Sequence, residues 1–181
     1  NFEPIKIVVG CDSGMDSPTA GLRIAMDPDG NLDVLKEVYK TGKLPDEQVR
    51  LIETIADGAC AWVIDPAALA LKEQARRAGK PVYQAENEIL PGIARVQQRL
   101  FIPEDGKPRL TVDPSCKNLI REIESYVWSG VKKDKPAVGA SDHNCDALKY
   151  SIAYFDKRRS GAYVGIAKPM NPAELTRKDI E

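Results

Sequence analysis

Three aspartates stand where a carboxylate has to be offset by something. Asp12 closes the apolar run Ile7-Val8-Val9-Gly10-Cys11, and Asp65 closes Ala61-Trp62-Val63-Ile64. Asp146 lies in Ser141-Asp142-His143-Asn144-Cys145-Asp146-Ala147-Leu148, where a late helical pattern opens. A carboxylate at the end of a buried strand is costly, and a divalent cation is the commonest compensation. Carboxylates converging from separate elements on one sheet edge make a Mg²⁺ or Mn²⁺ site, whose most frequent chemistry is phosphodiester hydrolysis. On a helix, His143 at i−3 and Asp142 at i−4 share the face of Asp146. Asp16, just past the turn Asp12-Ser13-Gly14, is a further acidic candidate. Each residue also has an ordinary reading. Asp12 suits a turn, Asp65 a helix cap ahead of Pro66, Asp142 a first-turn acid favoured by the helix dipole, and His143 a polar surface position.

Composition narrows the class. At 181 residues the chain suits one domain with a core large enough to fold alone. No apolar run approaches the ~20 residues of a membrane span, and no secretory signal is visible. A start at Asn1 without Met is expected for a fragment of something longer. The four cysteines (Cys11, Cys60, Cys116, Cys145) form no C-x-x-C pair, which argues against a disulfide framework and for a reducing cytoplasm. His143 and Cys145 lack the second pair that a zinc site needs. A net charge of −1 argues against a strongly basic nucleic-acid coat. It leaves a nuclease open, because site carboxylates offset basic residues elsewhere. Basic clusters occur at Arg76-Arg77, at Lys132, Lys133 and Lys135, and at Lys157-Arg158-Arg159; taken alone, each reads as solvated surface.

The elements that must position the aspartates follow from periodicity. Residues 6–11 read as a short buried strand, 19–26 as an alternating strand with one covered face, and 32–39 as its return after the turn Asp27-Pro28-Asp29-Gly30-Asn31. Helical spacing follows at 46–58, 67–78, 89–100, 117–127 and 141–158, the last capped by Ser141. Strands are expected at 61–64 and 81–84, and 110–112 is short and extended. Residues 131–140 read as a Lys/Pro/Gly loop, and 160–181, with Pro169 and Pro172, as a partly ordered tail. The order βββ then αβαβ implies a mixed sheet with helices on both faces. A helical crossover makes the 61–64 strand parallel to the first, so that Asp12 and Asp65 end neighbouring strands.

Four segments in this order carry a resemblance. They are Val8-Val9-Gly10-Cys11-Asp12-Ser13-Gly14 with Pro18-Thr19-Ala20, then Trp62-Val63-Ile64-Asp65-Pro66-Ala67-Ala68. Next come Asn118-Leu119-Ile120-Arg121-Glu122-Ile123-Glu124-Ser125-Tyr126-Val127-Trp128 and Asp142-His143-Asn144-Cys145-Asp146-Ala147-Leu148-Lys149-Tyr150. Across residues 5–154 the chain resembles the nuclease domain of the large terminase subunit of tailed bacteriophages, in the RNase H-like superfamily. The resemblance implies an α/β fold with a central five-stranded mixed sheet, three antiparallel strands first and parallel strands after, flanked by helices. It implies a nuclease domain over residues 1–159 that cuts concatemeric double-stranded viral DNA. In such proteins an ATPase motor precedes the nuclease; no G-x-x-x-x-G-K-[ST] occurs here, so ATP hydrolysis belongs to a part outside this chain. Small terminase subunit and portal protein are the implied partners of the full assembly, with this domain alone monomeric, no membrane, and the infected bacterial cytoplasm as its place.

The family's three metal ligands fall on Asp12, Asp65 and Asp146, with Mg²⁺ or Mn²⁺ implied in a two-ion site. His143 then orients water or a ligand, or shuttles a proton. Asp142 and Asp16 are secondary candidates, and Glu122 and Glu124 read as solvated or salt-bridged. Trp62 and Trp128 read as core. Arg76, Arg77, Lys80, Lys107, Arg109, Lys132 and Lys133 are candidates for sequence-independent DNA-backbone contact. Three other readings compete: a junction resolvase of the same fold, a sugar-kinase or actin-like nucleotide-binding lobe, and a non-catalytic DNA-binding or assembly module.

Overall fold

The computed structural model describes residues 3–14, 17–126 and 142–159. Strands β1 (Lys6–Asp12), β2 (Thr19–Met26) and β3 (Leu32–Lys40) form an antiparallel meander, pairing Asp12 with Ala20 and Ala20 with Tyr39 at one end. The β2–β3 turn closes with Gly30 at φ 88° and the Asn31 N–H donated to the Asp27 carboxylate at 2.8 Å. Helix α1 (Pro45–Glu53) crosses to β4 (Ala61–Ile64), which runs parallel to β1. Helix α2 (Leu69–Arg77) leads to β5 (Val82–Gln84), parallel to β4. Then come α3 (Ile89–Leu100), β6 (Leu110–Val112), α4 (Lys117–Ser125) and α5 (His143–Arg159).

Among the described residues the sheet has six strands in the order β5-β4-β1-β2-β3-β6, not five. The extended stretch at 110–112 pairs in parallel with β3 and becomes an edge strand. A second difference concerns β2, where one covered face was expected. Ala20, Leu22, Ile24, Ala25 and Met26 are all buried, because helices cover both faces of the sheet. On one face Val9, Cys11, Trp62 and Ile64 pack with Val49, Ile52, Ile55, Leu71 and Ala75. On the other, Val8, Leu22, Ile24 and Val63 pack with Leu119, Ala147, Leu148, Ile152 and Phe155. Trp62, at 2% exposure, belongs to the core as read.

Helix ends shift by a few residues from their expected places. α1 stops at Glu53 because Thr54, Ile55 and Ala56 donate to carbonyls three residues back, a tighter turn than the α-helix. The Arg23 guanidinium of β2 donates to the carbonyls of Ile55 and Asp57, groups that such a helix end leaves unsatisfied. The expected Ser141 cap, the 131–140 loop and the 160–181 tail lie outside the described residues.

Alternation along β1 turns Val8, Gly10 and Asp12 to the α5 side. Gly10 is the closest point of approach: a Cβ there would overlap the Ser151 hydroxyl and the Ala147 carbonyl oxygen. The missing side chain therefore lets α5 lie directly on β1, and this sets its first turn over the end of the strand.

Candidate functional site

Three elements meet at one end of the sheet. Cys11 pairs with Ile64, and the Asp65 N–H donates to the Cys11 carbonyl at 3.0 Å, so Asp65 stands beside Asp12. α5 presents His143, Asp146 and Tyr150 as one stripe, at i, i+3 and i+7. His143 Nδ1 lies 2.7 Å from Asp12 Oδ2. Tyr150 donates its hydroxyl to Asp65 Oδ2 at 2.5 Å. Asp65 Oδ1 accepts the Ala67 N–H at 2.5 Å and so closes a turn; it does not cap a helix as its ordinary reading had it, because α2 starts only at Leu69, after Ala68. Lys149 Nζ lies 2.5 Å from Asp146 Oδ1 as an ion pair, although that buried oxygen has no partner with hydrogen-bond geometry. Lys72, only 4% exposed, donates to the Pro66 carbonyl at 2.6 Å and holds the turn that follows Asp65.

The electrostatics are those of crowded carboxylates. Burial raises the Asp12 pKa above the usual range; the bond from His143 and its charge pull it back, and Asp65 and Asp142 push it further up. His143 is raised in turn, first by its bond to Asp12, against the cost of burial. Asp146 is pushed up to about 6, mainly by burial, with Lys149 opposing and Asp142 and Asp12 adding repulsion. Asp142 stands just before α5, its carbonyl accepting the Asp146 N–H at 2.8 Å, where the helix dipole favours an acid.

As they stand, no three His, Cys, Asp or Glu side chains among the described residues are gathered closely enough to hold a metal. Asp12, Asp65 and Asp146 are each engaged by a protein group instead: an imidazole, a phenol and an ammonium. The donor set nonetheless fits a hard divalent cation. It consists of mutually repelling carboxylate oxygens from three elements, of which the buried Asp146 Oδ1 is offset by the Lys149 ammonium. Cys145 is buried and its thiol is raised by burial, which suits a core residue rather than a metal-binding thiolate.

The described basic candidates are not brought to this edge. Arg76, Arg77 and Lys80 lie at or just past the far end of α2. The Arg109 carbonyl accepts the Leu32 N–H at the opposite end of the sheet from Asp12. Lys80 pairs with Glu53, Arg77 with Glu73 and Arg109 with Asp105. Lys107 and Arg109 line an open cleft of about 930 Å³ at that opposite end, with Arg95, Arg99 and Asp156. Asp16, Lys132, Lys133, Lys135 and Trp128 lie outside the described residues.

Glu122 corrects the sequence reading. It is 4% exposed, not solvated, and its Oε2 accepts the N–H groups of Asn144 and Cys145 at 2.7 and 3.0 Å. Lys149 and Tyr150 had a legible signal, since i+3 and i+4 from Asp146 is the same helical face. Glu122 had none, because its partners lie on the backbone of another helix.

No protein-family model matches the chain. The terminase large subunit of Escherichia phage T5 is 29% identical over 163 residues, covering 83% of this chain and 35% of that protein. The large terminase of a thermophilic bacteriophage superposes with a TM-score of 0.75 at 25% identity, covering 85% of this chain and 40% of that one. Over most of its length the chain is similar to terminase large subunits. It spans well under half the length of both relatives. The large terminase nuclease domain of bacteriophage SPP1, solved with bound Mn, shares the fold at a TM-score of 0.62 and 16% identity, covering 85% of this chain and 88% of that domain. That likeness shows that the two share a fold, which here has the strand order and helix layers described above. No described helix is long and apolar enough to cross a membrane.

Proposed function

We propose that this chain is the metal-dependent endonuclease part of a DNA-packaging terminase, cutting concatemeric double-stranded viral DNA as packaging starts and ends. The observation that carries this reading is the meeting of Asp12, Asp65 and Asp146, from β1, the end of β4 and α5, at one sheet edge. The manganese bound by the SPP1 domain of the same fold supports a divalent cation here.

Asp12, Asp65 and Asp146 would hold Mg²⁺ or Mn²⁺, with water and DNA phosphate filling the other positions. When bound, such ions activate water and stabilise the charge of phosphodiester hydrolysis. The chain's own residues do the positioning. Tyr150 fixes the Asp65 carboxylate through Oδ2. Asp12 holds the imidazole of His143 through Nδ1, leaving Nε2 as the ring nitrogen that takes up or returns a proton at the edge. Lys149 offsets the charge of Asp146 until a cation does so.

The nuclease spans residues 1–159 in this reading, with 160–181 as a tail. In the whole protein an ATPase motor hydrolyses ATP, the small subunit and portal are partners, and the work is done in the cytoplasm of the infected bacterium. Arg76, Arg77, Lys80, Lys107 and Arg109 would reach only duplex lying well beyond the cut. Incubating supercoiled plasmid with Mg²⁺, Mn²⁺ or EDTA tests the reading. Metal-dependent cutting that disappears in Asp12→Asn and Asp146→Asn is expected; full activity in either variant overturns it.

A further inference from the structure

The first turn of α5 carries both His143 and Asp146, and what holds that turn comes from elsewhere in the chain. Glu37 and Tyr39, two apart on β3, lie on one face of the strand. Glu37 Oε1 accepts the Asn118 N–H at 2.9 Å and its side-chain amide at 2.8 Å. Glu37 Oε2 accepts the Leu119 N–H at 2.9 Å and the Asn144 side-chain amide at 3.1 Å. The residue preceding α4, Cys116, makes no side-chain cap, so Glu37 caps that helix from the neighbouring strand. α4 then repeats the arrangement one step on. Its Glu122 accepts the Asn144 and Cys145 N–H groups of α5 and is bonded by Tyr39. Tyr39 also lies against the His143 ring, with centroids 6.5 Å apart.

A buried carboxylate committed to two backbone N–H groups is a costly way to finish a helix, because desolvation disfavours the charge. It gives a directional, charge-assisted clamp on the turn where displacement does most harm. We infer that Glu37 and Glu122 are positioning residues: a two-step relay from β3 through α4 that fixes the first turn of α5, and with it His143 and Asp146, against Asp12. This inference rests on the nuclease reading for its purpose, but its geometry can be tested without metal or DNA.

The chain has a single histidine, so one imidazole signal reports the placement of the turn. NMR of metal-free Glu122→Gln and Glu37→Gln at fixed pH is compared with wild type. Calorimetric titration with Mn²⁺ alone and plasmid cutting follow. Both variants keep size and one acceptor. Glu122→Gln is expected to fold, to move the imidazole resonances, and to lose about 10–100-fold in Mn²⁺ affinity and cutting, as supporting-shell changes do. Glu37→Gln is expected to do the same to a smaller degree. A folded Glu122→Gln with wild-type imidazole resonances and wild-type Mn²⁺ affinity overturns the relay. If Glu122→Gln does not fold, the same readouts on Glu37→Gln decide it. Wild-type protein that neither binds Mn²⁺ nor cuts overturns the nuclease reading instead, and the metal-free imidazole signal tells the two failures apart.

Discussion

Metal-free protein is expected to lose stability as pH rises from about 5 to about 8, and Asp146 accounts for a definite share of that loss. Its carboxyl is pushed from 3.8 up to about 6, first by burial. A carboxyl whose folded-state pKa lies above its unfolded value binds its proton more tightly when folded. Its contribution is therefore favourable at low pH and is lost as pH rises through the folded value. A shift of this size is worth about 3 kcal/mol in total, of which roughly half is lost between about pH 5 and pH 8. The side chain is 26% exposed, so solvent screening trims this only modestly. For a chain of this length that corresponds to a fall in Tm of roughly 3–6 °C. Asp12 and Glu122, raised mainly by burial, act in the same direction, and so does His143, raised by Asp12. Its part of the stability is full below the unfolded imidazole pKa and is lost as pH rises through the raised one. The assay is thermal unfolding in EDTA across this range for wild type and Asp146→Asn. The Lys149 ion pair forms only as Asp146 ionises, so its pH dependence is already contained in the Asp146 shift that the two slopes compare. The variant should show a shallower slope, by roughly half of that total over the range. Parallel slopes would refute the claim that this buried carboxylate is held at a cost.

Further outcomes follow from the same geometry. Mg²⁺ or Mn²⁺ at a hundredfold excess over Kd should stabilise the protein by about 2.7 kcal/mol, read as a Tm rise of roughly 5–11 °C that Asp12→Asn abolishes. Gly10→Ala drives a Cβ into the α5 backbone, so denaturant unfolding should show a loss of about 1–3 kcal/mol, and cutting should fall even where the protein is folded. His143→Ala should slow cleavage by roughly 10²–10⁴-fold under single-turnover conditions if the imidazole handles a proton; an unchanged rate removes it from the chemistry. Reversing Arg76 and Arg77 to Glu should leave the cleavage rate on short duplexes unchanged, because both lie at the far end of α2 from the aspartates.

Which residues end the central strands is legible along the chain. An apolar run closed by Asp is local information, and a crossover helix leaves little choice but to set the 61–64 strand parallel to the first, so Asp12 and Asp65 were already neighbours on paper. The helical spacing of His143, Asp146 and Tyr150 was equally local. Strand count was less so, because the three residues 110–112 become a strand only when β3 supplies their hydrogen bonds. Three matters were left to tertiary structure alone. Glu122 looks like any charge on a helix until its partners, N–H groups 22 and 23 residues on, close over it. Glu37 caps a helix 81 residues away. Arg76, Arg77, Lys107 and Arg109 read as one kind of surface, yet which end of the sheet they occupy depends on where α2 stops and which strand β6 joins. Spacing along a chain fixes faces and ends, since those follow from backbone period. It cannot fix which buried carboxylate meets which backbone donor, because that is set by how helices from distant parts of the chain pack on the sheet.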